Sequence, residues 1–195
     1  MKKNKEISRK FVLVGDGFCG KSTLIAAFYN RKFVHRYEPT IFETFTVNTD
    51  AYKKHVKLEL WDTAGQEEFS RVRPLSYPEV DAIILCFSID SRESSQNISE
   101  TWLPEIKHFC SHKIPIVLVA TKIDLRNKKT DNEKDKLSSL ITTEEGLKLC
   151  TKIGASAYVE CSAKLNIGVD EVFKTALKLT IRHPLFMKMD LCNLS

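Results

Sequence analysis

The residues best suited to chemistry lie together in Gly15-Asp16-Gly17-Phe18-Cys19-Gly20-Lys21-Ser22-Thr23. An apolar run, Phe11–Val14, precedes them, and a run with helical character, Lys21–Asn30, begins inside them. Gly15-x-x-x-x-Gly20-Lys21-Ser22 has the spacing of a P-loop. Gripping a polyphosphate needs backbone N–H groups that point inward, and glycines let the backbone approach without a Cβ in the way. The following helix presents its positive end to the phosphates. Lys21 adds a point charge at the outer phosphates, and the Ser22 hydroxyl suits Mg²⁺.

Three further clusters follow apolar strands. Asp62-Thr63-Ala64-Gly65-Gln66 offers an acid for Mg²⁺, directly or through water, a backbone N–H for a terminal phosphate, and an amide to orient a water. Thr121-Lys122-Ile123-Asp124-Leu125 places a carboxylate where guanine's ring N–H and exocyclic amine are both donors, a pair that adenine lacks. Cys161-Ser162-Ala163-Lys164 can bring a backbone N–H to the guanine oxygen. All four clusters fall at strand C-termini, the edge where a doubly wound sheet binds ligands.

The elements that must position them read as a mostly parallel α/β sheet. Ala82–Ile89 and Ile114–Thr121 are continuous apolar runs, as in strands covered on both faces. Thr44–Thr49 and His55–Asp62 alternate, and their short link predicts an antiparallel hairpin. Tyr158–Cys161 reads as a last short strand. Helices are expected over Lys21–Asn30, Ile98–Phe109, Glu144–Ile153 and Val169–Ile181. The fold class is α/β: a doubly wound, mostly parallel six-stranded sheet with one antiparallel edge hairpin and helices on both faces.

Composition narrows the class. A chain of 195 residues fits one domain, and its 30 basic and 25 acidic residues give a net charge of +5 without a basic stripe, so no nucleic-acid partner is expected. Six cysteines lack C-x-x-C pairing and several lie in apolar runs, as expected of buried thiols in a reducing compartment. No apolar segment approaches the ~20 residues of a membrane span. No apolar signal-peptide core follows Met1, and Lys2 stands where myristoylation needs glycine.

The wording of these motifs, with "YEPTIFE" (37–43), "RPLSYPEVD" (73–81) and "CFSIDS" (86–91), resembles the Rho/Rac family of small GTPases within the Ras superfamily. The resemblance implies a domain over residues 10–181 of the P-loop small GTPase fold, after an N-terminal extension over 1–9. A Rho-type insert falls at about 126–142, and a tail at 182–195. It implies a GDP/GTP-cycling switch that hydrolyses GTP with Mg²⁺, slowly alone and faster with a GTPase-activating protein. Gln66, Lys21 and Thr40 would be catalytic, and Ser22, Thr40 and, through water, Asp62 would serve the metal. Residues 15–23, Asp62 and Gly65 would meet the phosphates, as would Tyr37 in the first switch loop. Phe33 would pack on the base edge-on, with Thr121, Lys122, Asp124, Leu125, Ser162, Ala163 and Lys164 around it. Implied partners are exchange factors, activating proteins, a dissociation inhibitor, and effectors such as formins and kinases. The protein is expected to be a monomer and, by family, to control actin, cell shape and motility.

Cys192-Asn193-Leu194-Ser195 forms a C-a-a-X box that places a prenyl group on Cys192. One lipid anchors weakly, and residues 182–191 carry only Arg182 and Lys188 as full cations. The expectation is a cytoplasmic protein with reversible membrane association. Phe18 stands where Rho relatives carry a small residue, so its ring is expected to turn toward solvent or the switch loops. No motif places an arginine to act in cis. A GTP-locked binding module remains the alternative, with Phe18 as its one supporting residue. A small-molecule kinase is disfavoured by the guanine-reading Thr121–Asp124.

Overall fold

A computed structural model of the chain describes residues 6–31, 42–110, 114–127 and 139–181. Six strands form one sheet in the order β2-β3-β1-β4-β5-β6. They are β1 (Ile7–Val14), β2 (Phe42–Ala51), β3 (Lys54–Thr63), β4 (Ala82–Ser88), β5 (Ile116–Thr121) and β6 (Ala157–Glu160). Every pairing is parallel except β2 with β3, whose register runs from Phe42 opposite Thr63 to Ala51 opposite Lys54. Only Tyr52 and Lys53 remain to turn that hairpin, and both have positive φ, as a two-residue primed turn requires. The expected sheet, with its edge hairpin, is the one observed.

Alternation along β1 divides the core. Phe11 and Leu13 face one side with Leu24, Ile25, Val172 and Phe173. Val12 and Val14 face the other with Ile98, Trp102, Leu103 and Ile106. Helix α1 (Lys21–Asn30) and the closing helix Val169–Ile181 therefore share a face, where Phe28 stacks on Phe173 at 4.1 Å. The opposite face carries a continuous helical run: α2 (Arg92–Asn97), a π-turn (Ile98–Trp102) and α3 (Leu103–Phe109). Helix α4 (Thr143–Ile153) packs there too, started by a capping box between Thr142 and Glu145 and closed by left-handed Gly154. The closing helix is α5.

Most boundaries fall within two residues of expectation, and two differ by four residues or more. β1 begins at Ile7 rather than Phe11, because residues 7–10 pair with Val56–Glu59 of β3 although their own sequence is largely polar. This brings residues 7–9 of the expected extension into the sheet. The helical run begins at Arg92 rather than Ile98, because Ser91 caps it by accepting the Ser94 N–H at 3.0 Å. Insert residues 128–138 and tail residues 182–195 lie outside the described residues.

Candidate functional site

β1 lies between β3 and β4, where the direction of sheet winding reverses, and the chain leaves it as the Gly15–Gly20 loop. The loop hugs the sheet. Gly15 has φ +143, and a Cβ there would lie 2.1 Å from the Cys86 carbonyl oxygen. Gly20 takes a left-handed conformation at the start of α1 and accepts the Leu24 N–H at 2.9 Å. Lys21 is buried, and its ammonium donates to the Gly15 and Asp16 carbonyls at 2.8 Å each. Burial pushes the Cys19 thiol up, an effect Lys21 partly offsets.

The Asp62–Gln66 segment closes over this loop. Asp62 is fully buried at the end of β3, and the Thr63 hydroxyl donates to the Leu13 carbonyl at 2.6 Å. A Cβ on Gly65 would lie 2.3 Å from the Asp16 carbonyl carbon and from the Gly17 nitrogen. Only glycine permits so close an approach of two backbones. Gln66 lies beside Gly17, where a built Cβ would stand 3.6 Å from its Cγ. Lys21, Ser22, Thr63, Gly65 and Gln66 line a cavity of about 140 Å³.

This donor set fits Mg²⁺. The Ser22 hydroxyl and Asp62 carboxylate are hard oxygen ligands. Mg²⁺ in phosphate sites takes one or two protein oxygens and completes its shell with phosphate and water. They would hold the ion, which when bound neutralises charge developing on the phosphates.

A second cavity, about 230 Å³, joins three of the four motifs. Gly20, Thr23, Thr121, Lys122, Asp124, Leu125, Ala163 and Lys164 are among its lining residues. Ser162 is buried below it and donates its hydroxyl to Asp124 at 2.6 Å. The Cys161–Lys164 turn is fixed by reciprocal backbone bonds between Ser162 and Ile167 at 2.8 and 3.0 Å. The Ile123 N–H donates to the Cys161 carbonyl at 3.2 Å, tying the loops after β5 and β6 together. Lys122 sits at φ +60 with its ammonium 3.3 Å from both Asp90 carboxylate oxygens.

The structure thus gathers Gly15–Thr23, Asp62, Gly65, Gln66, Thr121–Leu125 and Ser162–Lys164 along one sheet edge. Phe18 has φ +61 and is 64% exposed at the rim of the 140 Å³ cavity, turned outward as expected. Phe33, Tyr37, Thr40 and Cys192 lie outside the described residues. Four side chains at the site escaped sequence reasoning: Arg73, Asn97, Trp102 and Glu105. Asn97 and Trp102 hold Asp16, while Glu105 holds Arg73 against the Ala64 carbonyl.

A P-loop at the switch point, an acid at the next parallel strand and a cavity between the β5 and β6 loops beyond define a small nucleotide-binding domain of the α/β class. Residues 10–182 match the Ras family. The chain is 49% identical over 178 residues to GTP-binding protein rho5 of Schizosaccharomyces pombe, covering 90% of this chain and 88% of that protein. It is likewise 49% identical over 175 residues to GTP-binding protein rho1 of the same organism, covering 89% of this chain and 86% of that protein. The chain belongs to the Ras family, within its Rho group of small GTPases. It is a GTP hydrolase and GTP-binding switch that works with GTP, GDP and Mg²⁺.

Proposed function

We propose that this chain is a Rho-type timer in which Gln66 orients the water that attacks GTP. The observation that carries the reading is the contact of Gly65 with the Asp16–Gly17 backbone, which seats Gln66 beside the phosphate loop. Lys21 places its charge at the outer phosphates, with loop N–H groups and the start of α1 facing the same anion. Water adds to the γ-phosphorus in line, the bond to the bridging oxygen breaks, and GDP and phosphate leave. Thr40 and Gly65 sense the γ-phosphate, so its loss frees both switch loops. Asp124 reads the guanine N–H pair, with Ser162, Ala163 and Lys164 beside it.

Arg73, buried with a guanidinium nitrogen 3.5 Å from the Gln66 carbonyl, is committed to Glu105 and the Ala64 carbonyl. That supports an arginine supplied in trans by an activating protein, worth roughly 10³–10⁵-fold in rate. Exchange factors, a dissociation inhibitor and effectors such as formins and kinases complete the cycle, with actin organisation, cell shape and motility as its output. The Cys192-Asn193-Leu194-Ser195 sequence supports a prenyl anchor on a cytoplasmic monomer, weak because residues 182–191 are only slightly basic. Single-turnover phosphate release from the GTP-loaded protein tests the reading. Slow release that Gln66→Leu reduces to a small residual rate is expected, and equal release from both proteins would overturn it.

A further inference from the structure

We propose that Trp102 is a positioning residue for GTP hydrolysis, its indole tying the phosphate loop to the segment that carries Gln66. The proposal rests on the reading of Gln66 as the water-orienting residue.

One side of the tie is Asp16, in the middle of the phosphate loop. Its Oδ1 accepts from the Trp102 indole N–H at 2.6 Å, and its Oδ2 accepts from the Asn97 amide at 2.8 Å. The two donors are five residues apart. In an α-helix, with 3.6 residues per turn, such residues point about 140° apart. In a π-turn, which closes from i to i+5, they come onto the same face. The Leu103 N–H donates to the Ile98 carbonyl, which places that turn between the two donors. The irregularity of the helix is therefore what lets both side chains reach one carboxylate.

The other side of the tie is Arg73. Its guanidinium carbon lies 4.5 Å from the Trp102 ring centroid. Two of its nitrogens fork onto Glu105 at 2.7 and 2.8 Å, and Tyr77 donates its hydroxyl to the same carboxylate. The remaining nitrogen donates to the Ala64 carbonyl at 2.7 Å and approaches the Gln66 carbonyl at 3.5 Å. A planar, buried, bidentate arginine has little freedom, so the carbonyls flanking Gly65 are held from beneath. The direct contact of Gly65 with the loop closes the circuit from above. Positioning matters at this scale, because a misplacement of about 1 Å can cost about 10²-fold in rate.

The test uses the full chain loaded with GTP and Mg²⁺, followed through one turnover by phosphate release. GTP dissociation is measured alongside. Trp102→Phe keeps a ring face for Arg73 but has no N–H for Asp16. We expect hydrolysis about tenfold slower, the worth of one hydrogen bond to a charged group, with GTP dissociation changed less than about twofold. In a Gln66→Leu background, Trp102→Phe should slow release no further. Asn97→Ala removes the second donor at a half-buried position and should slow hydrolysis about threefold; it decides the matter if Trp102→Phe does not fold. Normal rates in both single variants, slowing that adds in full to Gln66→Leu, or loss of GTP binding matching the loss of rate would each overturn the proposal. A wild-type rate in Gln66→Leu would remove the reading beneath it. A slow Gln66→Leu beside normal Trp102→Phe and Asn97→Ala would remove the proposal alone.

Discussion

Ser162 donates its hydroxyl proton to Asp124, Oγ to Oδ1 2.6 Å, while the Leu165 N–H donates to the same hydroxyl at 3.1 Å. The bond crosses from the β6 loop to the β5 loop and aims the carboxylate. If Asp124 accepts the two guanine donors, Asp124→Ala should weaken GTP binding a hundredfold or more, taking about 1.5–3 kcal/mol per charged hydrogen bond. Ser162→Ala leaves the carboxylate in place but unaimed, and should cost about tenfold. Dissociation rates of a fluorescent GDP analogue measure both. Equal losses would mean that the hydroxyl acts on the nucleotide itself.

Chelation should loosen the nucleotide. If Ser22 and Asp62 hold Mg²⁺ against the phosphates, EDTA should speed GDP release about tenfold or more, equivalent to about 1.4 kcal/mol of binding. Ser22→Ala should release GDP fast in Mg²⁺ and respond little to chelator. A strong EDTA response retained in Ser22→Ala would place the metal on other ligands.

Arg126 holds Glu160 with two bonds, 2.7 and 3.0 Å, and Tyr158 donates its hydroxyl to the same carboxylate at 2.7 Å. Burial raises the Glu160 carboxyl, but these partners outweigh it and hold it below its ordinary 4.5. A carboxyl depressed in the folded state stabilises above its unfolded pKa and loses that contribution as pH falls through its folded value. Glu160→Gln should thus lower stability at pH 7, on the order of 1–3 kcal/mol for charged hydrogen bonds. The gap between the two proteins should close below about pH 4.5. Urea midpoints from pH 7 to pH 3 give the curve. A gap that stays constant across the series would show that packing, not charge, sets the difference.

Much of this was readable in the residues. β4 is seven apolar or small residues, all buried, and could hardly be anything but a central strand. Lys21–Asn30 follows its glycine loop as a helix with the bounds the sequence predicts. What stayed hidden depends on partners far along the chain. Ile7–Lys10 is a strand only because β3 supplies its bonds. Nothing in the sequence around Arg73 shows that Glu105, 32 residues on, will bury it. Trp102 reads as core at helical spacing. Its N–H acquires a role only when a π-turn brings it in line with Asn97, a geometry that a period of 3.6 cannot reveal.

Gly65→Ala tests how hydrolysis depends on backbone contact. The added methyl would stand 2.3 Å from the Asp16 carbonyl carbon and the Gly17 nitrogen, and 2.4 Å from the Gly15 carbonyl oxygen. All three are backbone atoms, and the Gly15 and Asp16 carbonyls also hold the Lys21 ammonium. The phosphate loop therefore cannot yield without loosening Lys21, so the Gln66 segment must lift instead. A displacement of about 1 Å there should slow hydrolysis on the order of 10²-fold. The proposed base site, with Asp124 and Ser162 at the β5 and β6 ends, is untouched, so GDP dissociation should change only severalfold. Single-turnover phosphate release and GDP release, measured on one preparation, separate the two effects. Hydrolysis within twofold of wild type would show that the Gly65 contact is not held when GTP is bound, and that Gln66 reaches its water from another seat.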